Sequence, residues 1–324
     1  MKTLRLAAAL AAILATPASA QQSKPAPAAK PSAKSAPAVA NPDVDIAFGA
    51  FQRGYYLTAF REATRRAEEK ADPKAMTLIA ELYANGFGVA QDDAKAAQWY
   101  RLAAERGDRE AIFALAMFRL GGRGGERDRP EAVKLLEKAA NLGHGAAAYD
   151  LGLFYLDGNL MPQDFARAAE LFRLGARAGV PEAQYALATL HKEGRGVAKD
   201  EVEAARLLAA AAQADNVDAL TEYGIALFNG TGVPRDEAAA AKMLQRAARR
   251  GAPIAMNRLA HILMTGRGLP VDATAAVKWH LISKAAGTTD LALDEFMGKQ
   301  TKEVRDTAEK QARPWLMAIA ASRT

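Results

Sequence analysis

The chain has 324 residues, no cysteine and a formal charge of +6. The missing cysteines exclude disulfide staples, a thiol nucleophile and cysteine-ligated metal sites, so packing alone has to hold the fold. Five basic residues and no acidic one precede Asp43 (Lys2, Arg5, Lys24, Lys30, Lys34), which leaves residues 43–324 close to neutral and without the basic stripe of a nucleic-acid reader.

Residues 1–20 have the layout of a cleavable signal peptide. Lys2 and Arg5 are followed by an apolar run from Leu6 to Leu14, too short to span a bilayer, and by Ala18-Ser19-Ala20, a small-x-small site with cleavage expected after Ala20. This predicts a periplasmic or secreted product with no membrane-spanning segment in the mature chain. Residues 21–42 are rich in Ala, Pro, Lys and Ser and offer little apolar side chain to offset ordering entropy, so they read as a disordered tether. The tether's lysines could also touch an acidic wall polymer such as peptidoglycan.

From residue 73 the sequence repeats with a period of 36. Ala75, Ala111, Ala147, Ala183, Ala219 and Ala255 fall in register, as do Gly86, Gly122, Gly158, Gly194, Gly230 and Gly266. Asp92, Asp128, Asp164, Asp200, Asp236 and Asp272 do the same, and each unit closes on a glycine at 107, 143, 179, 251 and 287, with Asp215 standing in once. Periods of this length mark stacked supersecondary units. Each unit reads as two antiparallel helices. Ala75, Ile79, Leu82 and Tyr83 share one face of the first helix, Gly86 ends it, Asp92 caps the second, and Ala96, Trp99, Tyr100, Ala103 and Ala104 form its apolar side. The small residues allow close helix approach, with Trp99, Leu136, Phe172, Leu208 and Leu244 expected to fill the space between layers. Two turns depart from the pattern. Leu160 replaces a loop glycine in Gly158-Asn159-Leu160, and the run Gly121-Gly122-Arg123-Gly124-Gly125 predicts a looser connection.

Upstream, Ala59 and Ala67 match Ala96 and Ala104 at a shift of 37, so residues 43–72 hold a partial first unit. The expected organisation is therefore signal peptide 1–20, tether 21–42, an all-α solenoid of one partial and six full repeats over 43–287, and capping helices over 288–324. Within the cap, a helix is expected over Lys302 to Ala312, followed by Pro314-Trp315.

The strings Leu82-Tyr83, Gly86-Phe87-Gly88-Val89, Asp92, Lys95-Ala96 and Trp99-Tyr100 resemble the Sel1-like repeat, a relative of the tetratricopeptide repeat, and the resemblance covers residues 73–287. It implies a right-handed superhelix whose first helices line a concave face. If the tetratricopeptide register carries over, that face is lined by Thr77, Phe113, Tyr149 and Tyr185, continued by Thr221 and Asn257. Four residues along the helix lies a second row: Glu81, Met117, Leu153, Thr189, Ile225 and His261. Glu110, Glu182, Lys192 and Glu193 are their polar neighbours. Apolar residues in such a row suit capture of a peptide or helix. A register displaced by one position would instead make these side chains inter-repeat core.

Chemistry is scarce by count. Ser283 and Ser322 are the only serines after residue 42, neither in a G-x-S-x-G elbow, and His144, His191, His261 and His280 are scattered over separate units without metal-ligand spacing. The G-x-G strings follow a helix rather than a strand, so they read as turns and not as a nucleotide cradle. His280 reads as a packed residue with a satisfied ring nitrogen. No catalytic, metal or cofactor site is expected. The resemblance implies a periplasmic adaptor or scaffold that binds a protein of the cell envelope and regulates a signalling or assembly complex. The alternative is a cell-wall-associated enzyme, since cysteine-rich members have been linked to penicillin binding and hydrolysis; their disulfides are missing here. A wall-bound structural protein held by the tether is a third reading.

Overall fold

The computed structural model describes residues 45–322; the signal and tether expectations for 1–20 and 21–42 lie outside the described residues. Sixteen helices and no strand occur among the described residues. A helix pair, α1 (Ile46–Gln52) and α2 (Tyr56–Lys70), lies where the partial first unit was expected, and Ala59, Ala63 and Ala67 are buried on α2. Six pairs follow: α3 (Pro73–Asn85) and α4 (Asp93–Glu105); α5 (Arg109–Gly121) and α6 (Arg129–Asn141); α7 (Gly145–Asp157) and α8 (Phe165–Arg177); α9 (Pro181–Glu193) and α10 (Glu201–Gln213); α11 (Val217–Asn229) and α12 (Glu237–Arg249); α13 (Pro253–Thr265) and α14 (Ala273–Ala285). The array closes on α15 (Leu291–Gly298) and α16 (Lys302–Ala321). The first helix of each pair is called A below, the second B.

Every A and B helix of the six units is 13 residues long, and the sequence sets both ends. Each B helix has its repeated aspartate as N-cap; the Asp92 carboxylate, for example, accepts from the Lys95 N–H at 2.9 Å. The same aspartate's backbone N–H donates to a carbonyl of the preceding A helix, Asp92 to Tyr83 and Asp236 to Leu227, so one residue closes the seven-residue loop from both sides. Caps of this kind contribute on the order of 1 kcal/mol each. The A helices are capped by Asp72, Asp108, His144 and Asn216, whereas α9 and α13 have no side-chain cap and start on Pro181 and Pro253. A proline there lacks one of the N–H groups that a cap would have to satisfy. Asp215, in the place of the closing glycine, keeps the left-handed backbone (φ 62°) and is held by Arg246 and Arg250.

From α1 to α14 each helix packs on the one before it and the one after it, and next-neighbour contact is slight, as between α7 and α9. The repeated alanines are the contact points, with Ala96, Ala132, Ala168, Ala204, Ala240 and Ala276 all fully buried. The large side chains between them are Tyr100, Leu136, Phe172, Leu208, Leu244 and His280. This corrects the expectation for the first member of the row. Tyr100 is buried at 5 % exposure, whereas Trp99, one residue off the period, is half-buried.

The second glycine of the loop has a role beyond turning the chain. A Cβ on Gly232 would overlap the carbonyl oxygen of Glu201, at the start of the preceding B helix, and Gly124, Gly196 and Gly268 meet the backbone at the equivalent place. The loop of one unit is thus seated on the first turn of the previous unit's B helix. The glycine-rich third turn, expected to be loose, is among the better anchored. Arg123 bonds both carboxylate oxygens of Asp93 and the Ala84 carbonyl, and its guanidinium lies 4.3 Å from the centre of the Phe118 ring. Leu160 is not in the left-handed region, so that loop takes another path.

At the C-terminal end α16 continues through Pro314 rather than stopping near it, and packs on α14. Trp315 meets Trp279 edge to face at 5.8 Å, which covers the last repeat.

Candidate protein-binding face

The A helices, which carry the expected lining residues, present a surface of their own along the array. Three positions per unit carry it. The first is the line Glu110, Ala146, Glu182, Asp218 and Ile254; the second is Ala114, Asp150, Glu222 and Arg258, broken by buried Ala186; the third is Met117, Leu153, Thr189, Ile225 and His261. Spacings of four and then three residues place them on one side of a helix.

The expected lining residues divide on this surface. Met117, Leu153, Thr189 and Ile225 are half-buried along the open line, and Glu81 begins it, its carboxyl pushed up by burial and then by Glu110 and Asp108. Phe113, Tyr149 and Tyr185 sit beside that line, half-buried, at the border with the next unit. At the same position in other units the side chain is polar and buried. Thr77 is 8 % exposed and its hydroxyl bonds the Pro73 carbonyl and, across the seam, Asp108 at 3.0 Å; Thr221 is buried on the Val217 carbonyl of its own helix, and Asn257 is buried against Asp290. The row read as one face is therefore a half-buried aromatic stretch over α5, α7 and α9, with closed polar positions on either side.

His261 is also engaged, its Nε2 lying 2.8 Å from Asp290. Burial opposes ionisation of that carboxyl, yet the hydrogen bonds from Asn257, His261 and the Leu293 N–H outweigh it and hold the pKa well below the usual carboxylate range. His144 makes another seam. Its Nδ1 accepts the Ala147 N–H at 3.0 Å, so Nε2 carries the proton that is donated to Glu110 at 3.0 Å, and its ring stacks on Phe113 at 4.3 Å.

Charge is segregated across the solenoid in a way the net value hides. Helices α7, α9 and α11 carry six carboxylates and one lysine, whereas their partners α8, α10 and α12 carry seven cationic side chains and four carboxylates. Of the six, Glu193 is paired with Arg195 and Glu222 with Lys192. The remaining four, Asp150, Asp157, Glu182 and Asp218, form no ion pair or side-chain hydrogen bond among the described residues. The Tyr149 hydroxyl is pushed up to about 12, first by burial and then by Glu182, Asp150 and Asp157. Tyr185 is pushed up to about 12 in the same way, by burial and then by Glu222 and Asp218. Burial alone raises the Asp150 carboxyl to about 6. Asp150, Asp157 and Asp218 were not singled out in the sequence, although the 36-residue offset from Glu110 and Glu182 points to Asp218.

Other places offer less chemistry. A hollow of about 570 Å³ between α4, α5 and α6 is lined by alternating charges, among them Arg101, Glu105, Arg119, Glu126 and Lys138. Buried His280 bonds Asp294 through Nε2 at 2.7 Å, which satisfies one ring nitrogen as expected, but its Nδ1 is buried with no partner among the described residues. Ser283 next to it donates to the His280 carbonyl rather than to the ring. Among the described residues no group of three or more His, Cys, Asp or Glu side chains is arranged to hold a metal ion.

The Sel1 repeat family model matches residues 73–108, 109–144, 145–180, 181–216, 217–251 and 253–287, one match for each helix pair. The chain is a Sel1-repeat protein. Two solved structures agree with this solenoid. A Sel1 repeat protein from Oxalobacter formigenes is 25% identical, with a TM-score of 0.61 over 75% of this chain and 97% of its own. The protein c5321, a protective antigen of uropathogenic Escherichia coli strains displaying an SLR fold, is 25% identical, with a TM-score of 0.56 over 82% of this chain. The Sel1-repeat chain spans 65% of the length of that antigen. Among curated proteins none matches. A Sel1-repeat solenoid is a scaffold suited to protein–protein contact, and no helix among the described residues is long and apolar enough to cross a membrane.

Proposed function

We propose that this Sel1-repeat protein is an exported adaptor of the cell envelope, which holds or restrains a partner protein on the open face of its A helices. The observation that carries the reading is the half-buried stretch of Phe113, Met117, Tyr149, Leu153 and Tyr185 across three consecutive units. Phe113, Tyr149, Leu153 and Tyr185 pack one side against the core and keep the rest at the surface, and aromatic anchors of this kind supply most of the energy of protein interfaces. The export half of the reading rests on the sequence of residues 1–20.

The test is the double substitution Tyr149→Ser and Tyr185→Ser in the full chain, followed by affinity capture from envelope extracts and by thermal melting. Loss of the partners with a near-native melt supports the adaptor reading. Retention of every partner refutes it. Hydrolysis of a chromogenic β-lactam by the purified chain would favour the enzyme reading instead. Export is checked by the mass of the periplasmic product, for which Gln21 is the expected first residue.

A further inference from the structure

The open face changes chemistry along its length, and its middle third carries a more specific message than the aromatic anchors alone. Over α7, α9 and α11, the half-buried Tyr149, Leu153, Tyr185 and Ile225 are bordered by Asp150, Asp157, Glu182 and Asp218. None of these four carboxylates is neutralised within the described residues, although arginines are plentiful one helix layer away on α8 and α12. Of the other A-helix carboxylates, Glu110 meets Arg109 and His144, Glu193 meets Arg195 and Glu222 meets Lys192, while Glu81 on α3 is also unpaired among the described residues. Like charges gathered without counter-charges repel one another, and partial burial of Asp150 adds to the cost. Such a cost falls when a complementary charge arrives from outside.

We infer that the stretch from α7 to α11 is a docking surface for a lysine- or arginine-bearing polypeptide segment of a partner protein. This rests on the adaptor reading and adds the chemistry of what is bound. The carboxylates complement the ammonium or guanidinium groups, the tyrosine rings offer faces on which a cation can settle, and Leu153 and Ile225 receive apolar side chains between the charges. Polypeptide is favoured over a small polycation because the apolar groups alternate with the carboxylates over three units, a length that only a chain with side chains of both kinds can match. An acidic segment, a nucleic acid or an anionic lipid surface would meet the wrong sign of field on this face.

The experiment uses the full chain and a fluorescein-labelled twelve-residue peptide of alternating lysine and leucine, with a glutamate-for-lysine peptide of the same length as control. Binding is followed by polarisation at 50 and 300 mM salt. The lysine peptide is expected to bind at least 10-fold more tightly than the glutamate peptide, and to weaken at high salt as charges in a shared surface are screened. Asp150→Asn with Glu182→Gln and Asp218→Asn is expected to weaken it at least 10-fold with an unchanged or raised melting temperature. Glu170→Gln with Glu201→Gln, on the B side, is expected to leave it within 2-fold. Equal binding of the two peptides, spermine displacing the lysine peptide at micromolar concentration, or an unaffected triple variant would each overturn the assignment. The two readings fail separately. If the double tyrosine variant loses its envelope partners and the triple carboxylate variant keeps them, the charge assignment falls and the adaptor face stands.

Discussion

Two glycines of the fifth full unit allow the seat between repeats to be measured. Gly232 and Gly251 both have left-handed backbone, at φ 68° and 93°. Around Gly251 there is nothing within 4 Å of an added Cβ, so Gly251→Ala incurs only the strain of an L side chain in that region, about 1–2 kcal/mol. At Gly232 the same methyl would overlap the Glu201 carbonyl and approach the Val202 nitrogen at 3.1 Å. Backbone cannot swing aside as a flexible side chain would. The loop must lift from α10, and the overpacking adds a further ~1–3 kcal/mol. With roughly 2–4 °C lost per kcal/mol in a body of this size, Gly251→Ala should lower the melting temperature by about 2–8 °C. Gly232→Ala, at a total of ~2–5 kcal/mol, should lower it by about 4–20 °C and by more than Gly251→Ala in the same differential scan. Equal shifts would refute the seat, and the second loop glycine would then be a turn residue and nothing more.

Asp150→Asn tests the burial of that carboxyl. With its folded pKa near 6 and the unperturbed value at 3.8, the native state holds the proton more tightly than the unfolded chain. Its contribution to stability is therefore intact below about pH 4 and is lost as pH rises through 6. The variant should be more stable by ~1–2 kcal/mol at pH 7.5, after allowance for partial solvation, and no different at pH 4 in urea titrations. Asp236→Ala removes the α12 cap and should cost about 1 kcal/mol by the same titration, and Asp236→Gly only about a few tenths. Ala183→Asp places a charge at a fully buried contact, where a Cβ of α8 has no room, and should abolish cooperative melting; Lys199→Asp on an exposed loop should shift it by no more than ~0.5 kcal/mol. Trp315→Ala should loosen α16 first, seen as faster amide exchange in α14 and α16 than in α10.

The solenoid was readable because its signals are local and are repeated six times. A glycine that turns the chain at 86, 122 or 158 and an aspartate that caps at 92, 128 or 164 act within a few residues of themselves. The same holds for alanines at fixed offsets. What escaped was set by the neighbouring repeat. Nothing near Gly232 in sequence names Glu201 as its contact, and nothing near Gly122 says that Arg123 anchors on Asp93 of the previous unit. The register of the open face escaped in part for a related reason. Thr77, Phe113 and Tyr149 share one position in the period, but each meets different partners. Asp108 draws Thr77 into a seam, His144 stacks on Phe113, and Tyr149 lies against Phe172. The period also drew attention to sameness, whereas the segregation of carboxylates to α7, α9 and α11 lies in positions that vary between units.

The joints between units are not interchangeable. One is held by a threonine and an aspartate, the next by a histidine between a glutamate and a phenylalanine, a later one by a lysine and a glutamate, and the last by an asparagine and a histidine on Asp290. The backbone would accept loss or duplication of any 36-residue block, as beads on a string would. The joints would not, because each half is cut to fit one neighbour. Units of a single shape are thus locked into a single order, and recombination among near-identical segments would leave mismatched halves facing each other.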